Sequence, residues 1–204
     1  MIGLKYATSG LNSQKNIALT FDDGPNPYAT PKILDILDSF QVKGSFFVIG
    51  KRCLQYPSLL KEIKRRGHLI GGHTFSHAQG DFLEGNQVIK KILGQESGWF
   101  RPPYLDFSFC NSEREYLSKK LIVGGDLSPR DFLPLSAAEV AENTLKAARA
   151  GSIFIFHDSS EVDLELEYRA EKTIEALPRI ILELRRMGYQ TKPLADFDLQ
   201  FQDF

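Results

Sequence analysis

Strand-like and helix-like segments alternate along almost the whole of this 204-residue chain, and no other feature constrains its fold as much. Short apolar runs at residues 17–21, 44–50, 69–74, 98–104, 121–126, 152–158 and 189–194 read as seven strands bounded by turn residues. Stretches with apolar residues three and four apart lie between them. They predict helices over about 30–40, 57–66, 86–95, 111–120, 136–150 and 168–187. Pro31 suits a first helical turn. Asn111 or Ser112 suits a cap. Ser136 and Glu139 form a capping-box pattern, and Pro178 is expected to interrupt the last helix. Alternation of this kind argues for parallel strands with helices packed outside. The nearly continuous apolar runs GSFFVIG and SIFIFHD suit a sheet buried on both faces. The fold class is therefore α/β, either an open doubly wound sheet or a barrel.

Length predicts one domain over residues 1–204. With 25 basic and 26 acidic residues, the chain has none of the positive excess of a nucleic-acid binder, and no apolar run is long enough to span a membrane. Neither a Gly-x-Gly-x-x-Gly turn nor a phosphate-binding loop is present, so nucleotide binding has no support. Cys53 and Cys110 stand far apart and read as ordinary small residues. Residues 1–14 lack the basic-then-apolar pattern of a secretory signal. The chain as given is expected to be cytoplasmic, or secreted or at the cell surface if it was trimmed. The acidic stretch 161–167 reads as a solvated loop.

Chemistry in parallel α/β folds collects at the C-terminal ends of strands, and the polar residues here fall at those ends. Strand one ends in Asp22-Asp23-Gly24, and strand three in His73-Thr74-Phe75-Ser76-His77. The fourth strand carries Arg101 and Tyr104. Strand five ends in Asp126, with Ser128 and Asp131 beyond, and strand six ends in His157-Asp158. Adjacent carboxylates repel, and a cation relieves the repulsion; alone, the same Asp-Asp-Gly-Pro reads as a turn. One aspartate and two histidines match the donor set of an open metal site. His157 alone is as readily a core histidine as a catalyst. His68, at a helix C-terminus that favours a cation, reads as structural.

These residues resemble the motifs of the polysaccharide deacetylases, carbohydrate esterase family four. Thr20-Phe21-Asp22-Asp23-Gly24 resembles the first motif and His73-Thr74-Phe75-Ser76-His77 the second. Arg101-Pro102-Pro103-Tyr104 is similar to the third and Ile155-Phe156-His157 to the fifth. The resemblance covers roughly residues 16–195. It implies a distorted (β/α) barrel with seven parallel strands, and a metal-dependent N-deacetylase acting on an N-acetylated carbohydrate or other small amide. A deformylase or amidase on a lipid-linked amino sugar or small non-glycan amide, or an inactive glycan-binding relative, is the alternative. It further implies Asp23, His73 and His77 as ligands of a divalent ion, zinc first, with cobalt, nickel or manganese as alternatives. Asp22 would be the general base, oriented by Arg101. The Tyr104 N–H would hold the oxyanion, and His157 would be the general acid. Tyr28, Tyr104, Phe107 and Phe132 read equally as walls of a substrate groove and as packing. The pattern departs at three places. Ser128 stands where an aspartate supports the catalytic histidine, leaving Asp126 as the substitute. Leu105 replaces a glycine, and the stretch from His77 to Arg101 is short.

Overall fold

The computed structural model describes residues 4–11, 15–109, 111–159 and 168–203. The strands are β1 (Lys5–Gly10), β2 (Asn16–Asp22), β3 (Ser45–Val48), β4 (Leu69–Gly72), β5 (Trp99–Phe100), β6 (Leu121–Val123), β7 (Ile153–His157), β8 (Gln190–Thr191) and β9 (Leu199–Asp203). The helices are α1 (Ala29–Ser39), α2 (Gly50–Gln55), α3 (Pro57–Arg65), α4 (Phe82–Leu93), α5 (Asn111–Leu117), α6 (Ala137–Ala147) and α7 (Tyr168–Arg186). One sheet runs in the order β7-β2-β3-β4-β5-β6-β1-β9, with β8 on β2. Every pairing is parallel except β1 with β9. Beyond β6, Leu127 bridges Phe154 of β7, and the Ile155 N–H donates to the Leu127 carbonyl at 3.0 Å. That bridge joins the segment after β6 to β7 across the curled sheet, so the open alternative gives way to a distorted barrel.

All seven expected strands are present, and β1 and β9 add to them at one edge. Helix α7 runs through Pro178 without a break. A proline in a helix interior costs about 3 kcal/mol. Burial of Leu177, Ile180, Ile181 and Leu184, each fully enclosed, returns roughly 1.5–3 kcal/mol per side chain. The capping box forms as expected, with Glu139 N–H on Ser136 Oγ and Ser136 N–H on Glu139 Oε2. Helix α2 was hidden at the end of an apolar run, and α4 begins at Phe82 rather than Asn86. Cys53 is buried and unbridged. Cys110 and the acidic stretch 161–167 lie outside the described residues, as do the side chains of Asn111 and Ser112. No described helix is long and apolar enough to cross a membrane.

The two-residue period of the strands sorts the core. Ile17, Leu19 and Phe21 of β2, Phe46 and Val48 of β3, and Phe154 and Phe156 of β7 join α1, α6 and α7 in one apolar cluster outside the barrel. Their neighbours Ala18, Phe47 and Ile153 join Val123, Leu194 and Phe197 in a second cluster. Continuing the second set along each strand leads through Thr20 to Asp22, and through Ile155 to His157. Asp22 and His157 are direct Cα partners in the parallel register.

Candidate active site

The chain leaves β2 at Asp22, and Asp23 turns sharply with φ +73°. The two carboxylates then serve different partners. Asp22 Oδ1 accepts from Arg101 Nη1 at 2.7 Å. Asp23 Oδ1 lies 3.4 Å from His73 Nε2 and 3.3 Å from His77 Nε2, and the two nitrogens are 3.1 Å apart. All three residues are buried. Asp23 Oδ1 is shut off from solvent without a hydrogen bond, a costly state for a carboxylate oxygen unless a cation meets it.

The triangle fits a metal. Tetrahedral bonds of about 2.0–2.1 Å to zinc imply ligand-to-ligand edges of roughly 3.3 Å, close to all three distances. His73 is set for the role because its Nδ1 is 2.7 Å from the Arg101 carbonyl. Donation there leaves the Nε2 lone pair facing Asp23. The electrostatics agree. Burial works against charge on Asp23, yet the nearby imidazoles of His73, His157 and His77 hold its pKa down to about 2. Burial likewise opposes charge on His73, but Asp23 and Asp22 outweigh it and draw its pKa upward. Burial pushes Asp158, just behind, up to about 7, and Asp23 adds to the push.

Arg101 is the largest fully buried side chain. Its Nε donates to the Val123 carbonyl, Nη2 to the Gly124 carbonyl, and Nη1 to Thr20 Oγ1 as well as to Asp22. The guanidinium lies 4.1 Å from the centre of the Phe47 ring. Gly71 makes room for that ring, since a Cβ there would come within 2.4 Å of it. Thus β2, β3, β4, β5 and β6 all help to fix one hydrogen bond to Asp22.

His157 is supported by Asp131, not by Asp126. Asp131 Oδ1 is 2.9 Å from His157 Nδ1, and Oδ2 accepts from the His157 N–H and from Thr173 Oγ1, each at 2.8 Å. Asp126 instead binds the Ile153 N–H and Arg149. Ile153 starts β7 and His157 ends it, about 13 Å apart at strand rise, so Asp126 is at the wrong end. Ser128 therefore leaves His157 with a carboxylate partner. Burial alone would discharge His157, but Asp131, then Asp23 and Asp22, raise its pKa to about 10.

A cavity of about 440 Å³ joins these groups; Asp22, Asp23, His73, His77 and His157 line it together with Tyr104, Leu105 and Phe132. Two of the four candidate wall aromatics are in place. Tyr104 stands 72% exposed with its ring edge-on to His77, and Phe132 is edge-on to His157. Tyr28 bonds Glu171 instead, and Phe107 packs on Tyr6. Asp23, Thr74, His77, Tyr104 and Leu105 all have positive φ. Such conformations cost about 1–3 kcal/mol each and gather at functional sites. His68 is structural but neutral rather than cationic: burial pushes its pKa down to about 4, and Nδ1 accepts the Gly44 N–H. Asp131, Thr173 and Asp158 take part around the site without a role expected from the sequence. Asp131 and Asp158 had a visible cue, their places at the ends of strands five and six, and Thr173 had none.

A family model described as polysaccharide deacetylase matches residues 10–119. A peptidoglycan-N-acetylglucosamine deacetylase of Bacillus cereus is 31% identical over 191 residues, covering 88% of this chain and 86% of that protein. A chitooligosaccharide deacetylase of Rhizobium leguminosarum bv. trifolii is 29% identical over 197 residues, with coverage of 90% and 92%. The crystal structure of a peptidoglycan N-acetylglucosamine deacetylase in complex with 4-naphthalen-1-yl-N-oxidanyl-benzamide superposes with a TM-score of 0.84. It is 28% identical and covers 94% of this chain and 92% of that one. The family match covers Asp22, Asp23, His73, His77 and Arg101, and the barrel brings His157 to the same cavity with Asp131 behind it: the chain belongs to the polysaccharide deacetylase family.

Proposed function

We propose that this chain is a metal-dependent hydrolase that removes the acetyl group from an N-acetylated amino sugar, free or within an oligosaccharide. Residues 1–204 act as one catalytic domain, and zinc is the ion. The observation that carries this reading is the meeting, around one cavity, of the Asp23–His73–His77 triangle with Asp22 and His157, which Arg101 and Asp131 hold from behind. The relatives named for deacetylating peptidoglycan N-acetylglucosamine and chitooligosaccharides support the substrate class.

A divalent ion held by Asp23, His73 and His77 supplies Lewis acidity to the amide carbonyl and acidity to a water. Asp22, held by Arg101, removes the proton from that water as its oxygen bonds to the carbonyl carbon. The Tyr104 N–H donates to the oxygen on which charge develops. His157, protonated through Asp131, gives its proton to the nitrogen as the C–N bond breaks, because an unprotonated amine is a poor leaving group. The products are a free amine and acetate.

The test is amine release from N-acetylated and N-formylated sugars, oligomers and simple amides. Acetylated oligosaccharides should turn over fastest. Faster turnover of formyl sugars or simple amides would move the assignment to the deformylase or amidase reading. No release from any N-acetyl sugar by fully metal-loaded protein would refute the proposal. Asp131→Asn tests the acid. A histidine raised by a carboxylate holds its proton until the pH passes its elevated pKa. Loss of the Asp131 charge should therefore bring the alkaline limb of kcat/KM down by about 1–3 pH units. An unmoved limb would remove His157 from that role.

A further inference from the structure

The loop between the two ligand histidines adopts a costly shape. Thr74 and His77 have φ of +66° and +65°, a region where a β-branched residue such as threonine is a rare outlier. Two elements hold it there. On one side, the first N–H groups of α2 bond its carbonyls: Gly50 to Thr74 O at 3.0 Å and Lys51 to Phe75 O at 2.9 Å. Gly85 of α4 lies against the Thr74 carbonyl, where a Cβ would come within 2.4 Å. On the other side, the Asp81 carboxylate takes the amides. Its Oδ1 accepts the Phe75 N–H at 2.8 Å, and its Oδ2 accepts the Ser76 N–H at 3.0 Å and the Ser76 hydroxyl.

Asp81 also breaks a local rule. It occupies the N-cap position of α4, yet its side chain makes no capping bond there. An N-cap aspartate typically contributes about 1 kcal/mol to its helix. Here that contribution is given up, and all of the carboxylate's bonds turn back to the loop. Such local violations mark places where function overrides helix stability. The consequence reaches His77, one residue beyond Ser76. Its Nε2 must stay within about 3 Å of two other ligand atoms, although no strand or helix contains it.

We propose that Asp81 is a positioning residue for the metal site. It locks the 74–77 turn so that His77 is preorganised against His73 and Asp23. The proposal rests on reading that triangle as a metal site, and its test keeps the two apart. Asp81→Ser is the informative variant, because serine can cap α4 but cannot bridge two amides and a hydroxyl. Asp81→Asn keeps the shape with one acceptor oxygen. Zn²⁺ affinity is measured by competition with a chromophoric chelator. The visible absorption of Co²⁺-loaded protein reports whether His77 remains a ligand, and circular dichroism of the metal-free proteins reports folding.

Asp81→Ser should melt within a few degrees of wild type when metal-free, bind Zn²⁺ about 10- to 100-fold more weakly, and give a weaker, altered Co²⁺ band. Asp81→Asn should fall between the two. Wild-type affinity and an unchanged Co²⁺ spectrum in both folded variants would overturn the proposal. So would failure of both to fold, since Asp81 would then be required by the fold at large. A wild-type protein that bound neither ion would instead sink the metal reading beneath it.

Discussion

Asp22→Asn is expected to lower kcat about 10³-fold while leaving metal content and fold in place. The asparagine oxygen can still accept from Arg101 Nη1, which now lies 2.7 Å from Asp22 Oδ1. The ligand triangle does not include Asp22. What disappears is a basic oxygen poised for proton removal, and general-base catalysis is worth about 10²–10⁴ in rate. A 10³-fold loss corresponds to roughly 4 kcal/mol of barrier. KM should change little. Steady-state kinetics with elemental analysis of the same preparation makes the check. Activity within tenfold of wild type, at full metal occupancy, would remove Asp22 from the role of base.

The largest effect on stability is expected from Arg101→Ala. The guanidinium is fully enclosed and bonds two carbonyls, a hydroxyl and a carboxylate. Burial pulls its pKa down, but the Asp22 charge opposes that pull. Alanine would leave Asp22 as a buried carboxylate without its guanidinium. The Val123 and Gly124 carbonyls would lose donors, and a void would open beside Phe47. Breaking a buried ion pair from one side costs about 3–5 kcal/mol, or roughly 10 °C in Tm for a chain of this size. Denaturant unfolding measures it, and a loss under about 1 kcal/mol would show that the barrel interior does not depend on this pair. Comparison with Asp22→Asn is instructive. That variant keeps an oxygen acceptor for the guanidinium and opens no void, so it should lose less stability than Arg101→Ala.

Much of the candidate site was legible from chain order because its residues sit where strands stop. Asp22, His73, Arg101 and His157 each end a strand or directly follow one, and parallel strands align those ends on one rim. The support of His157 was not legible. Asp126 and Asp131 are five residues apart in one irregular segment, and periodicity says nothing about which turns toward β7. The path of that segment decides it. The Leu127 bridge to Phe154 carries the chain along β7 toward its C-terminal end, leaving Asp126 near Ile153 and Asp131 beside His157. Thr173 was invisible for a related reason, since it reaches Asp131 from α7, 42 residues away. The pair β1 and β9 was missed because a half-buried strand near one end of the chain and an exposed one near the other carry no long apolar run.

By itself the sequence determined the alternation, and with it a parallel α/β sheet whose strand ends carry the acids and histidines. Hydrophobic period and turn chemistry are local properties, so one chain suffices to read them. The tertiary structure alone decided how the sheet closes, which aspartate serves His157, and why a loop with two left-handed residues holds its shape. Each of these depends on hydrogen bonds between segments far apart in sequence. Their partners are selected by packing across the barrel, which no local pattern encodes.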